Sequence, residues 1–379
     1  MTKDNQHDPL MNQINGENQF PYRYEGLEKA ASEVLAKEAF DYIQSGAGAE
    51  ETLRNNRQAL ENTRVIPRML QNVGQIDLTV RLFGKDYANP VFLAPIGMQK
   101  LANPQAELAT VRAAKKHQVP MIVSTASTFS LEEIKEAAPD HPLWFQLYWS
   151  DKNPDVSLNM ARRAEQAGYE AIVVTVDTVM LGWRERDLDN QFSPLKAGYG
   201  IANYKNDEVF MSKLEKKDDK SIVEGIVENF FHPTLNWKHI EKLKKATGLP
   251  ILVKGLLHAE DARFAIEHGV DGIIVSNHGG RQLDGVIGSA EALPEIVREV
   301  KGEIPVLFDS GVRRGVDVVK ALALGADAVL IGRPFMYGLA LDGEQGVSQV
   351  LEHFLADLTV SIGLAGASDV RSAKELETK

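Results

Sequence analysis

Eight short apolar runs recur along the chain, at 91–96, 121–126, 143–148, 171–176, 250–253, 272–276, 305–308 and 328–331. Helix-like patterns fill the gaps, for example at 105–116, 155–166, 237–247, 259–268, 291–300 and 316–324. Continuous apolar strands of this length are buried on both faces, as in a parallel sheet covered by helices. Glycine stands at several expected helix ends, Gly168, Gly248, Gly269 and Gly325, where a left-handed cap suits it. Eight strand–helix units predict an α/β fold, a closed (β/α)8 TIM barrel. An open doubly wound sheet is the alternative, and it calls for an early Gly-x-Gly-x-x-Gly turn that this chain lacks.

Two stretches depart from the rhythm. Residues 1–20 are rich in Asn, Gln and Asp and are expected to be disordered or loosely docked. A helical pattern from Leu27 to Ile43 follows, ended by Ser45-Gly46-Ala47-Gly48, so the barrel carries an N-terminal helical extension. The second departure comes after strand four, where about sixty residues without a clear strand read as a lid over 178–236. Its Gly198–Tyr204 part is expected to cover the site, and the charged Lys216–Lys220 part to face solvent. Residues 21–379 are taken as a single domain, with barrel strands from about 91 to 333.

Composition then removes classes of function. A net charge of -11 argues against a nucleic-acid or anionic-membrane partner. With no cysteine there is no disulfide, thiolate metal site or cysteine nucleophile, and no metal is expected. No apolar leader opens the sequence and no run reaches the roughly 18 to 20 residues that span a bilayer, so a cytoplasmic protein is expected.

Barrel chemistry comes from the C-terminal ends of strands. Those ends offer Pro95-Ile96-Gly97, Ser124, Gln146 with Tyr148, Thr175 with Asp177, Lys254, Ser276 with His278 and Arg281, Asp309-Ser310-Gly311-Val312-Arg313, and Gly332-Arg333. The last two strands end in Gly311, Arg313, Gly332 and Arg333, at the place where barrels bind phosphate through backbone N–H groups and arginine. Polar ends at Ser124, Gln146, Thr175 and Lys254 suit the heteroatoms of a phosphorylated ring cofactor, with Lys254 offsetting negative charge on its reduced form. Arg184 and Arg281 can clamp a carboxylate in bidentate fashion. Asp177 can orient His278 as a base. Plainer readings stand beside these: a barrel-mouth salt bridge for Lys254, turns or caps for Ser124 and Thr175, a solvated charge run for Arg184-Glu185-Arg186-Asp187, an ordinary packed residue for Tyr42, and a satisfied core histidine for His278.

Ser276-Asn277-His278-Gly279-Gly280-Arg281-Gln282 resembles the active-site signature of the FMN-dependent L-2-hydroxy acid oxidases. The likeness extends from about Phe40 to about Gly366 through Asp41-Tyr42-Ile43, Ala94-Pro95-Ile96-Gly97, Trp144-Phe145-Gln146-Leu147-Tyr148, Thr175-Val176-Asp177-Thr178, Val253-Lys254-Gly255, Phe308-Asp309-Ser310-Gly311-Val312-Arg313 and Gly332-Arg333-Pro334. The resemblance implies FMN across the barrel mouth. Pro95, Ile96 and Gly97 would line its ring, and Ser124, Gln146, Tyr148, Thr175, Lys254 and Ser276 would contact the ring or ribityl chain. Asp309 and Ser310 would serve the ribityl end, and Gly311, Arg313, Gly332 and Arg333 the phosphate. Tyr42, Tyr148, Arg184 and Arg281 would bind the substrate, Tyr204 would cover it, and His278 would be the base with Asp177 as partner. A homo-oligomer, tetramer or larger, is implied too.

Within that family the chain is most similar to the lactate 2-monooxygenase group. The resemblance rests on Gly97, on Gly182-Trp183-Arg184 with Arg186-Asp187-Leu188-Asp189, and on Gly200-Ile201-Ala202-Asn203-Tyr204. It implies L-lactate and O2 as reactants and acetate, carbon dioxide and water as products. The alternatives are an oxidase releasing pyruvate and hydrogen peroxide, and a broader 2-hydroxy acid oxidase. An FMN barrel with other chemistry would lack the His278–Arg281 pairing with a second arginine after strand four. A non-catalytic barrel would lack His278, Lys254 or the phosphate arginines.

Overall fold

A computed structural model describes residues 20–150, 153–229 and 232–379. The expectation for residues 1–19 lies outside them. Eight parallel strands close into a barrel: β1 (Val91–Leu93), β2 (Met121–Ser124), β3 (Leu143–Leu147), β4 (Ile172–Thr175), β5 (Ile251–Leu256), β6 (Gly272–Val275), β7 (Val306–Phe308) and β8 (Ala328–Ile331). Each strand pairs with the next in the chain, and β8 closes on β1 with Leu330 opposite Phe92.

The strands are buried because both of their faces are covered. Phe92, Ile122, Trp144, Val173, Leu252, Ile274, Leu307 and Leu330, one residue from each strand, fill the interior. A hairpin, Val80–Leu82 with Lys85–Tyr87, packs Val80, Leu82 and Tyr87 into the same cluster. It plugs one end of the barrel and leaves the C-terminal strand ends as the open mouth. The alternate strand residues, such as Val91, Phe145, Ile172 and Val253, pack outward against the helices. Gly168, Gly269 and Gly325 take the positive φ expected of helix ends, at 84°, 72° and 106°.

The N-terminal extension differs from the single helix expected over 27–43. It breaks into α1 (Tyr24–Val34) and α2 (Lys37–Gln44), because Leu35 and Ala36 adopt extended ψ values of 147° and 144°. A third helix, α3 (Glu51–Asn62), was not signalled by apolar periodicity. Its buried face is Thr52, Asn56, Ala59 and Leu60, half of it polar. The long connection after β4 holds short helices at Glu185–Asp189, Ala202–Lys205, Glu208–Ser212 and Asp219–Asn229. Lys216–Lys220 is exposed throughout. Strand β5 runs three residues past the expected 250–253, to Leu256, so Lys254 lies within it, beside a bulge. No helix among the described residues is long and apolar enough to cross a membrane.

Candidate active site

A cavity of about 1060 Å³ opens at the barrel mouth. That is room for a cofactor and a small substrate together. Its wall includes Pro95, Ile96, Gly97, Ser124, Tyr148, Lys254, His278, Arg281, Asp309, Ser310, Gly311, Arg313, Gly332 and Arg333 from the strand ends, Tyr42 from α2, and Arg184 from the lid. Residues expected from seven of the eight strands thus meet in one space, with Arg184 from the segment that follows β4.

His278 leaves β6 with φ 60°, a left-handed backbone that costs a non-glycine residue energy. Two hydroxyls hold the bend: Ser276 Oγ accepts the His278 N–H at 3.0 Å, and Ser310 Oγ accepts that of Gly279 at 3.0 Å. The His278 Nδ1 lies 2.8 Å from Asp177 Oδ1. This fixes the ring and leaves Nε2 as the free edge. Thr178 Oγ1 donates to the same Asp177 oxygen at 2.9 Å. Burial lowers the pKa of His278, and Asp177 only partly reverses that, so the imidazole is neutral at neutral pH. Burial opposes ionisation of Asp177. The neighbouring His278 ring and the Lys254 charge, with hydrogen bonds from His278 and Thr178, prevail and hold its carboxyl below the usual range.

The carboxylate end is built from arginines. Arg281 Nη1 donates to the carbonyls of Tyr42 and Ser45, at 2.6 and 2.8 Å, and its guanidinium lies 4.9 Å from the Tyr42 ring centre. Burial, then the neighbouring Arg184, push Arg281 well below the usual guanidinium range. Arg184 is buried rather than solvated. It donates to the Arg281 carbonyl at 3.2 Å and to Gln282 Oε1 at 3.4 Å, with Asp187 at 4.0 Å. Tyr42 Oη donates to Met98 Sδ at 3.7 Å. Two confined cations with one distant carboxylate leave positive charge to be met by an anion.

At the far end Arg333 donates to the carbonyls of Ile43, Gly279 and Ser45. It therefore braces α2 against the His278 loop while lining the cavity. Neither Arg313 nor Arg333 has a carboxylate within ion-pair distance among the described residues. Gly311 and Gly332 line the cavity beside them, which fits a phosphate. Lys254 donates to Ser276 Oγ at 2.9 Å and pairs with Asp309 at 3.5 Å, so the salt bridge and the cavity position coexist.

Gln146, Thr175 and Ser276 stand one step behind the wall. Gln146 Nε2 donates to Thr175 Oγ1 at 2.9 Å, and Gln146 Oε1 accepts from Ser124 Oγ at 3.2 Å. Of the segment after β4, Leu181–Arg184, Asp187, Leu188 and Gln191–Ala197 line the mouth, whereas the Gly198–Tyr204 part expected there does not. Tyr204, expected over the substrate, is not part of that wall. It lies in the Ala202–Lys205 helix, buried, with its ring edge-on to Phe210 at 5.1 Å. Gly97 lines the cavity, and a Cβ there would lie 2.6 Å from the Ala126 carbonyl oxygen, so close packing keeps that residue small. Sequence reasoning missed Thr178, which directly follows Asp177. It also gave no role to Gln282, whose Nε2 holds the carbonyls of Asp177 and Met180 at 3.0 and 2.9 Å.

These geometries fit a class: (β/α)8 barrel enzymes whose mouth has the room and the positive charge for a phosphorylated ring and a small acid. Comparison with known proteins narrows it. A family model described as FMN-dependent dehydrogenase matches residues 31–377, and the chain belongs to that family. It is 55% identical to an L-lactate oxidase of Lysinibacillus sphaericus (strain C3-41) over 376 residues, 99% of this chain and 97% of the other. It is 42% identical to 2-hydroxyacid oxidase 1 of Homo sapiens over 344 residues, 91% of this chain and 92% of the other. A mandelate oxidase structure with (S)-4-hydroxymandelic acid superposes with TM-score 0.86 at 42% identity, covering 95% of this chain and 99% of the other. The protein is an FMN-dependent oxidoreductase of 2-hydroxy acids.

Proposed function

We propose that the chain oxidises L-lactate with O2 as acceptor, releasing pyruvate and hydrogen peroxide. The observation that carries this reading is the His278–Asp177 pair at 2.8 Å, set beside Arg184 and Arg281 in one cavity. The 55% identity to an L-lactate oxidase supports the choice of lactate. It also favours pyruvate over the acetate expected from sequence.

FMN, when bound, supplies the two-electron chemistry and the route to oxygen. In this reading Gly311, Arg313, Gly332 and Arg333 hold its phosphate. Asp309 and Ser310 serve the ribityl chain, and Pro95, Ile96, Gly97 and Ser124 line the ring, with Gln146, Thr175 and Ser276 supporting from behind. Arg281 and Arg184 bind the lactate carboxylate, with Tyr42 and Tyr148 beside them. His278 Nε2 takes a proton from the bound acid, and Asp177 stabilises the imidazolium that results. Lys254 supplies positive charge for the reduced state. Lactate loses two electrons and two protons, and O2 gains both to give peroxide.

The monooxygenase outcome is the second reading, and a buried attachment of the lid favours it. Asn203 is fully buried and bonds to the rim, and a lid that stays shut keeps pyruvate with peroxide until they give acetate, carbon dioxide and water. Aerobic turnover of L-lactate with pyruvate, acetate and peroxide measured together decides. Equal pyruvate and peroxide support the oxidase; acetate without free peroxide sinks it.

A further inference from the structure

Helix α3 reaches two loops of the site with two consecutive side chains. Asn56, buried, exchanges both amide hydrogen bonds with Asn277. Asn56 Nδ2 donates to Asn277 Oδ1 at 2.8 Å, and Asn277 Nδ2 donates to Asn56 Oδ1 at 2.7 Å. The remaining acceptor capacity is used as well: Asn56 Oδ1 takes the Ser289 N–H at 3.2 Å, and Asn277 Oδ1 takes that of Gly280 at 3.1 Å. Arg57, next along, donates to the Gly311 carbonyl at 2.6 Å and to Asp317 Oδ2 at 2.8 Å. That carboxylate oxygen in turn accepts the N–H groups of Arg313 and Arg314, at 2.9 and 3.1 Å. The helix also meets both loops backbone to backbone. A Cβ on Gly280 would lie 2.7 Å from Leu53 N, and one on Gly311 would lie 2.8 Å from the Asn56 carbonyl oxygen.

The loop after β6 needs such a brace. His278 holds φ 60°, a backbone state that persists only where its surroundings over-determine it. Asn277 is the residue immediately before it. A base displaced by a fraction of an ångström loses its advantage.

We propose that Asn56, outside the barrel, is a positioning residue for the base: through Asn277 it fixes the backbone from which His278 projects, while Arg57 independently fixes the loop at the phosphate end. The proposal rests on His278 being the base. Its test therefore includes a readout that needs no turnover.

Asn56→Ala and Arg57→Ala are compared with wild type in three measurements. These are the FMN dissociation constant of the apoprotein, the affinity of the loaded protein for oxalate, and the anaerobic rate of flavin reduction by L-lactate. Oxalate offers a carboxylate and adjacent oxygens as a 2-hydroxy acid does, but cannot be oxidised in this way. For Asn56→Ala, oxalate affinity and reduction rate are expected to fall at least about tenfold, with FMN affinity within about twofold of wild type. For Arg57→Ala the pattern reverses: FMN affinity falls about tenfold, while the loaded protein stays within about twofold in the other two. Asn56→Asp keeps the acceptor for Asn277 and Ser289 but sets a carboxylate oxygen against Asn277 Oδ1 in place of the donor, so it too is expected to lose oxalate affinity and reduction rate. It replaces Asn56→Ala if that variant does not fold. Wild-type oxalate affinity in both Asn56 variants, or a loss confined to FMN affinity, overturns the proposal. If L-lactate fails to reduce the wild type, the functional reading falls, and the oxalate comparison still decides the role of Asn56.

Discussion

The side-chain amide of Asn203, carried by the lid, lies 3.0 Å from the carbonyl oxygen of Thr125 on the barrel rim. The same Nδ2 is 2.9 Å from Ser127 Oγ, and Asn203 Oδ1 accepts the Leu131 N–H at 2.8 Å. Truncation to alanine leaves these buried groups unpaired, a cost on the order of 2–3 kcal/mol. Asn203→Ala is expected to melt at lower temperature. Under the monooxygenase reading it also releases a larger share of its oxygen consumption as peroxide; under the oxidase reading that share is already complete and stays so. Thermal melts check the first and a peroxide-to-oxygen ratio the second, and an unchanged melt would show the latch to be idle.

The acid limb of the reaction should lie low. His278 titrates below its ordinary 6.5 because it is buried, and only its neutral form takes a proton. The acid limb of flavin reduction at limiting substrate is therefore expected to have its midpoint below pH 6.5. Asp177→Asn removes the charge that raises the imidazole, so the limb moves lower still. It also frees the ring, and the rate falls about a hundredfold or more. Stopped-flow reduction across pH is the measurement, and a wild-type limb above 6.5 would contradict the burial argument.

Gly97→Ala tests packing at the cavity wall. The Ala126 carbonyl already accepts the Met98 N–H at 2.8 Å. It also lies 2.6 Å from where a Cβ on Gly97, or on Gly200, would stand. Overpacking of this kind costs about 1–3 kcal/mol. The variant is expected to unfold at lower denaturant, and any change in its oxygen reactivity will include a displaced rim. Denaturant midpoints identical to wild type would remove the contact from consideration.

Glu107 carries a pH-dependent stability term. It is fully buried, and its Oε1 accepts the N–H groups of Gln99 and Thr128 at 3.2 and 3.0 Å, while Oε2 has no partner. Burial raises its pKa to about 6 from 4.5. The folded state thus binds the proton more tightly than the unfolded one. The stabilisation is complete below pH 4.5 and is lost as pH rises through about 6. The loss amounts to about 2 kcal/mol. Glu107→Gln should lack this step. Urea unfolding of both proteins at pH 5 and pH 8 gives the difference, and parallel behaviour would refute the term.

The barrel was legible because its strands are apolar on both faces, so each run stood out without knowledge of its partners. The strand-end residues were legible for a related reason: a polar residue such as Ser124 or Lys254 ending an apolar run is costly unless it has a partner or faces a mouth. Helix α3 was not legible. Asn56 and Thr52 occupy core-facing positions where periodicity looks for Leu or Ile, and what satisfies them comes from residues more than two hundred positions away. Tyr204 failed for the opposite reason. It was expected to cover the substrate, but the side of this segment that faces the cavity is set by where Asn203 docks, and that depends on the rim. The break at Leu35–Ala36 carries no proline or glycine and offered no local sign.

With no cysteine in the chain, oxidative damage cannot be recorded on sulfur as thiol chemistry. A soft atom at the mouth is the thioether of Met98, which lines the cavity together with Met336 and accepts the Tyr42 hydroxyl. Peroxide that lingers under the lid meets this sulfur before it meets bulk solvent, and a sulfoxide there turns a weak acceptor into a strong one beside Tyr42. The enzyme would thus keep its own dosimeter: the mass of one peptide, read after turnover, would count how often product outstayed its welcome.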